Sequence, residues 1–176
     1  MNTEFEVKIL DVDVVKIRSK LNSLGAVKVG EKNMRRYIYL FDSANKNKWL
    51  RLRDEGGKVT LTIKHFQKDD IAGTKELEVG VGSFEKTFEV LFEMGLKPEL
   101  YQENKRESYK LGDVEVEIDT WPKIPAYLEV EGKSKEDVER IVKLLGFEMS
   151  QTTSLDGEGV YQHYGLDLNE FKELRF

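Results

Sequence analysis

The chain repeatedly sets like charges one residue apart. Glu4 and Glu6, followed by Lys8, fall in EFEVK; Glu76 and Glu78 in ELEV; Glu115, Glu117 and Asp119 in VEVEID; Glu129 and Glu131 in LEVEG; Arg51 and Arg53 in WLRLRD. Strand side chains two apart share a face, so each run turns its charges to one side and its Val, Leu, Ile or Phe to the other. One such run is an ordinary half-buried strand with its polar face in water. Recurrence along the chain is different, because a solvated face mixes signs and like charges on neighbouring strands repel. Grouped carboxylates make an all-oxygen site suited to Mg²⁺ or Mn²⁺, ions that retain waters and bridge to phosphate. Lys8, Arg51, Arg53, Lys64 and Arg106 supply the complement: guanidinium forks bind phosphate oxygens in pairs, and lysines neutralise them as point charges. An acidic wall facing a basic wall suits a small molecule carrying several phosphates in a row.

Elements must hold these walls in place. Three helices are expected, each with a start signal, an apolar stripe and a glycine stop. The first runs from about Asp13 to Leu24, with Val14, Ile17, Leu21 and Leu24 at helical spacing and Gly25 after them. The second follows Ser83 through Phe84, Phe88, Leu91 and Phe92 to Gly95, and the third follows Ser134 through Val138, Ile141, Leu144 and Leu145 to Gly146. Each follows a Glu-x-Glu strand, so strand, helix and strand recur as an internal repeat. WLRLRD, KVTLTIK and VEVEID add hairpin strands, turning at Glu55-Gly56-Gly57 and at Gly112-Asp113. HFQKDDIAGT at 65–74 reads as a loop and TWPKIP at 120–125 as a stiff connection.

Strands of this number predict an α+β fold: a closed or nearly closed antiparallel β-barrel of about eight strands, a tunnel with helices packed on the outside. Phe5, Val7, Leu77, Val79, Val116, Ile118 and Val130 would then face outward against helices, and the charges inward. The segment LDGEGVYQHYGLDL would close one mouth, and LNEFKEL at 168–174 reads as a short terminal helix whose apolar residues could support a homodimer. His65 and His163 stand without an accompanying nucleophile or metal motif, and VGVG at 79–82 lacks dinucleotide-binding spacing.

Composition narrows the classes. The 176 residues suit a single domain spanning 1–176. With 28 Lys and Arg against 33 Asp and Glu, net charge −5, no basic excess points to a nucleic acid polymer. The absence of cysteine excludes disulfides, thiolate metal sites and a cysteine nucleophile, and agrees with a reducing compartment. Strand pattern begins close to Met1 and no apolar run approaches the roughly 20 residues of a membrane span, so a complete, soluble, cytoplasmic protein without a membrane partner is expected.

EFEVK, WLRLRD, LTIK, KRESY and VEVEIDTWPKIPAYLEVEG, in that order, resemble the CYTH superfamily, or triphosphate tunnel metalloenzymes, along nearly the whole chain. That superfamily includes class IV adenylyl cyclases, thiamine triphosphatases and inorganic triphosphatases. The resemblance implies an eight-stranded tunnel with Glu4, Glu6, Glu129 and Glu131 as metal ligands and Glu117 and Asp119 nearby as ligands or water-orienting carboxylates. It implies Lys8, Arg51, Arg53, Lys64 and Arg106 as the phosphate-binding set, with Glu6, Asp119 and Lys8 catalytic. Two positions depart from the family pattern: Asn104 stands where Lys often precedes x-Arg, and Thr74 where a basic residue often precedes ELEV. The implied substrates are ATP, tripolyphosphate or thiamine triphosphate. Hydrolysis is the favoured reaction, since no adenine pocket is legible; cyclisation of ATP to cyclic AMP and pyrophosphate, and a noncatalytic polyphosphate- or nucleotide-binding module, are the alternatives.

Overall fold

A computed structural model describes the backbone of residues 2–3, 5–41, 47–66 and 74–176 and the side chains of 5–41, 47–66 and 75–176. Glu4, the Thr74 side chain and most of the expected loop at 65–74 lie outside this set. The strands are β1 (Asn2–Thr3), β2 (Phe5–Ile9), β3 (Val27–Tyr39), β4 (Lys48–Asp54), β5 (Val59–Phe66), β6 (Thr74–Val81), β7 (Leu100–Leu111), β8 (Val114–Thr120), β9 (Tyr127–Gly132) and β10 (Glu173–Leu174). The helices are α1 (Val14–Ser23), α2 (Phe84–Glu93), α3 (Lys135–Leu145) and α4 (Gly157–His163).

One sheet runs in the order β1-β6-β5-β4-β3-β7-β8-β9-β2. Its two edge segments, β1 and β2, are separated by a single residue in the chain. The N-terminal segment therefore joins the sheet's two edges, which curls it into a tunnel and leaves little unpaired edge. The expected α+β tunnel of eight principal strands, β2 to β9, is what forms.

Alternation is kept around the wall. Val7, Ile9, Val116, Ile118, Leu128 and Val130 face outward into a buried cluster with Ile17 and Leu21 of α1 and Val138, Ile141, Val142 and Leu145 of α3. Those helices stop and start where the sequence says: Asp13 Oδ1 accepts from the backbone of Val15 and Lys16, and Ser134 Oγ from that of Asp137. Gly146, at φ 95°, ends α3 in a left-handed conformation that a Cβ would oppose. On the other side α2 lays Phe84 and Leu91 on Leu50 and Leu52 of β4 and Tyr39 of β3, with Phe84 stacked on Tyr37 at 5.4 Å between ring centres.

Two expectations are corrected. Leu77 and Val79 point outward, but each is 58% exposed, because α2 packs chiefly over β4 and, of β6, it is Val81 that joins its cluster. LNEFKEL is not a helix: Leu168–Glu170 is one 3₁₀ turn, and β10 then adds parallel to β7, pairing Glu173 with Tyr101 and Leu174 with Gln102. That end of β7 lies beyond the register of β8, which pairs from Lys105 onward, so its backbone was open to a partner. Leu174 is fully buried and Leu168 and Phe171 pack on a cluster with Trp121 and Tyr161, which removes the apolar face on which a terminal-helix homodimer would rest.

The two outward environments predict different costs for the same truncation. Ile141→Ala, in the sealed α3 layer, should lower urea-unfolding stability by about 3 kcal/mol, whereas Leu77→Ala should change it by less than about 0.5 kcal/mol. Similar losses at both positions would mean that Leu77 is covered.

Candidate active site

The tunnel encloses a cavity of about 710 Å³. Its lining includes Glu6, Lys8, Arg36, Arg51, Arg53, Lys64, Glu76, Glu78, Arg106, Glu117, Glu129 and Glu131, so the inward positions of β2 to β9 carry the charge the sequence indicated. Every described member of the expected set except Asp119 lines this cavity. Asp119 lies against it, fully buried and held by Arg106.

Register explains the two walls. On β2, β9 and β8, Glu6 lies opposite Glu131, Glu131 opposite Glu115, and Glu129 opposite Glu117. On β3, β4 and β7, Arg36 lies opposite Arg53 and Lys32 opposite Arg106. Like charges facing each other across a ladder destabilise it unless something of opposite sign intervenes.

Here the intervention comes from within. Lys8 Nζ lies 2.9 Å from Glu6 Oε1 and 3.4 Å from Glu129 Oε2. Arg106 Nε donates to Asp119 Oδ1 at 2.8 Å, and its two terminal nitrogens reach Glu117 and, at 3.1 Å, Glu129. Across the tunnel Arg51 is 3.6 Å from both Glu76 and Glu78, Arg53 2.6 Å from Glu55, and Lys64 3.2 Å from Glu76. Ser108 donates to Glu117 at 3.0 Å and Thr62 to Glu78 at 2.9 Å.

The electrostatics follow from this sharing. Arg106 has one charge for three carboxylates, so they are not equally compensated. Burial pushes Glu117 up to about 7; Glu129 and Asp119 add to this while Arg106 opposes it. For Glu129, burial alone would raise the pKa, but Arg106, Lys8 and Lys64 outweigh it and hold the carboxyl well below its usual range. Lys8 is buried, which by itself favours the neutral amine; Glu6 and Glu129 reverse this and keep it charged. Arg106 is likewise held cationic, with Asp119, Glu129 and Glu117 overcoming its burial.

Among the described residues, no three acidic or histidine side chains form a ready-made metal chelate. The carboxylates converge on Arg106 and Lys8 instead. Their chemistry is nonetheless that of a hard-cation site: oxygen donors only, crowded on neighbouring strands, one of them retaining its proton to near neutrality. Glu6, on the open cavity lining, is better placed than Asp119 to meet a water molecule, since both Asp119 oxygens bond Arg106.

Other lining residues were not singled out by sequence. Arg36, Gln102, Trp121, Ile124 and Tyr127 form the end of the cavity against which Val160 and Tyr161 of α4 pack, so the segment after Gly146 does cover one mouth. Lys105 points outward, over the Phe176 ring, as parity required. Arg36 was hidden in the run Arg35-Arg36-Tyr37: two adjacent arginines give no parity, and only pairing with Arg53 and Gln102 shows which faces in.

The model of the CYTH domain family matches residues 2–159. A Methanocaldococcus jannaschii protein named provisionally as an adenylate cyclase is 32% identical over 147 residues, 81% of this chain and 83% of its own. A Pyrococcus horikoshii protein of solved structure superposes with a TM-score of 0.75 at 25% identity, covering 87% of this chain and 96% of that one. A Hippeastrum protein, provisionally an adenylyl cyclase and described as having a dominant triphosphatase activity, shares the fold with a TM-score of 0.59 at 16% identity, covering 92% and 96%. On the family match and the M. jannaschii relative, the chain belongs to the CYTH domain family.

Proposed function

We propose that the chain is a divalent-metal-dependent enzyme that hydrolyses a triphosphate held in its tunnel, working as one unit over residues 1–176 in the cytoplasm. The observation that carries this reading is the pair of facing walls, each with like charges opposite one another across its strands. A linear triphosphate with its cation satisfies both walls at once. Among the described residues no helix is long and apolar enough to cross a membrane.

Mg²⁺ or Mn²⁺ held by Glu6, Glu129 and Glu131, with Glu117 and Asp119 close by and Glu4 as a further expected ligand, would neutralise charge developing on phosphoryl oxygens. Arg51, Arg53 and Lys64 bind phosphate oxygens from the opposite wall, and Lys8 and Arg106 bind them between the walls. Each then exchanges a carboxylate partner for a phosphate. Glu6 orients the attacking water, and Asp119 holds Arg106 through both oxygens so that its remaining nitrogen points toward the substrate. Preorganised cations aimed at the phosphate stabilise transition-state charge without the reorganisation that bulk solvent would need. The Hippeastrum protein's described activity supports hydrolysis. The M. jannaschii relative's provisional name favours a second reading, attack by the ribose 3′-hydroxyl on the α-phosphorus of ATP.

A panel of tripolyphosphate, ATP and thiamine triphosphate with Mg²⁺ or Mn²⁺ tests both readings. Phosphate release that needs added metal and falls at least about 100-fold in Glu6→Gln is the expected result. Cyclic AMP with pyrophosphate would replace hydrolysis by cyclisation, and tight binding without turnover would leave a binder.

Carboxylate crowding can be read without substrate. Glu117 ionises at about pH 4.5 when unfolded but at about 7 when folded, so between these values the folded protein binds more protons and stability falls as pH rises. One full proton corresponds to about 1.4 kcal/mol per pH unit. Metal-free protein should lose urea stability from pH 5 to 7.5, Glu117→Gln should flatten that slope, and Mg²⁺ should lessen it. A slope unchanged in the variant would show that Glu117 ionises normally.

A further inference from the structure

We infer that Arg36 is a phosphate-binding residue of the tunnel, holding the phosphoryl group that lies nearest the α4 end; this deepens the triphosphate reading and rests on it. Among the described residues Arg36 is the lumen cation with no carboxylate within ion-pair distance. Lys8, Arg51, Arg53, Lys64 and Arg106 each have at least one. Arg36 is only 8% exposed, and its neighbours across the ladders are Arg53 and the neutral Gln102.

Its bonding is incomplete on one edge. Nη2 donates to Asn104 Oδ1 at 2.7 Å, the guanidinium lies over the Trp121 ring at 4.5 Å, and buried Nε has no partner. The buried indole N–H of Trp121 has none either. Two buried donors without acceptors, belonging to one stacked pair on the cavity lining, are each costly unless an acceptor arrives. A neutral amide and a ring face do not balance a desolvated guanidinium, and Arg51, Arg53 and Arg106 repel it further, acting with burial to favour its neutral form. A phosphoryl group offers the missing charge and several acceptor oxygens together.

Surroundings restrict where that group sits. Trp121 packs in one cluster with Val160 and Tyr161 of α4, and the Tyr161 hydroxyl is tied to the Pro122 carbonyl at 2.9 Å. Arg36 thus stands where the charged part of the lumen gives way to an apolar end. Asn104 also explains its own place: its oxygen accepts from Arg36 Nη2 while its amide reaches toward Asp119, at 3.4 Å, so a neutral side chain there orients a cation delivered from the adjacent strand.

Calorimetric titration of tripolyphosphate in EDTA, with wild-type protein, Arg36→Met and Arg36→Met/Asn104→Lys, tests this. Arg36→Met should weaken binding about 10- to 100-fold while its ligand-free melting temperature stays level or rises. Asn104→Lys in that background should restore much of the affinity by returning a cation to the same spot. An Arg36→Met affinity within about 2-fold of wild type would overturn the inference alone. So would a melting temperature lowered together with an affinity that the second substitution does not recover, which would assign Arg36 to structure. Wild-type protein that fails to bind tripolyphosphate in EDTA and equally with Mg²⁺ or Mn²⁺ added would sink the triphosphate reading and this inference together.

Discussion

A closed sheet with strict alternation has one inside and one outside, and everything else in this protein follows from which residues were given to each. Joining β1 and β2 to opposite edges fixes that assignment for all eight principal strands at once. A one-residue slip in β2, β8 or β9 would send its charges under α1 and α3 and its apolar residues into the lumen. The apolar layer under α1 and α3 is therefore more than a core. By holding Val7, Val116 and Val130 outward it obliges Glu6, Glu117 and Glu129 to face one another inside.

That obligation leaves the ligand-free lumen in an awkward balance. Its charges neutralise one another through shared contacts, Arg106 among three carboxylates and Lys8 between two. A buried ion pair in a lumen contributes little net stability, because desolvation offsets most of the attraction. The same groups are consequently cheap to re-partner. An anion of several charges arriving with a cation can take the basic side chains from the carboxylates and leave the carboxylates to the metal. Arg36 sits outside this internal settlement, with its Nε and the neighbouring Trp121 N–H still open to an acceptor.

Much of this was legible beforehand. Val116-Glu117-Ile118-Asp119 and Leu128-Glu129-Val130-Glu131 state their parity outright, since each alternates a β-branched or aliphatic residue with an acid. Ser83, Ser134 and Gly146 mark helix ends by local chemistry, which needs no tertiary information. What sequence could not supply was coverage and register. Nothing near Leu77 and Val79 says that α2 will lie over β4, and they stay half in water. Leu168, Phe171 and Leu174 have helical spacing, yet the open end of β7 offered the chain backbone partners that a helix would have forgone. Arg35 and Arg36 part company for the same reason: Arg35 turns out to Asp54 and Glu85, Arg36 turns in, and the pairing of β3 with β4 and β7 decides it.

The central claim is that the tunnel's interior is where metal and triphosphate meet. The most direct measurement is the anomalous scattering of Mn²⁺ in crystals grown with tripolyphosphate. The account predicts a peak in the lumen between Glu6 and the Glu129–Glu131 strand, with phosphate density against Arg51, Arg53 and Lys64. Manganese and phosphate bound only on the outer surface, over a lumen whose internal ion pairs remain intact, would contradict it.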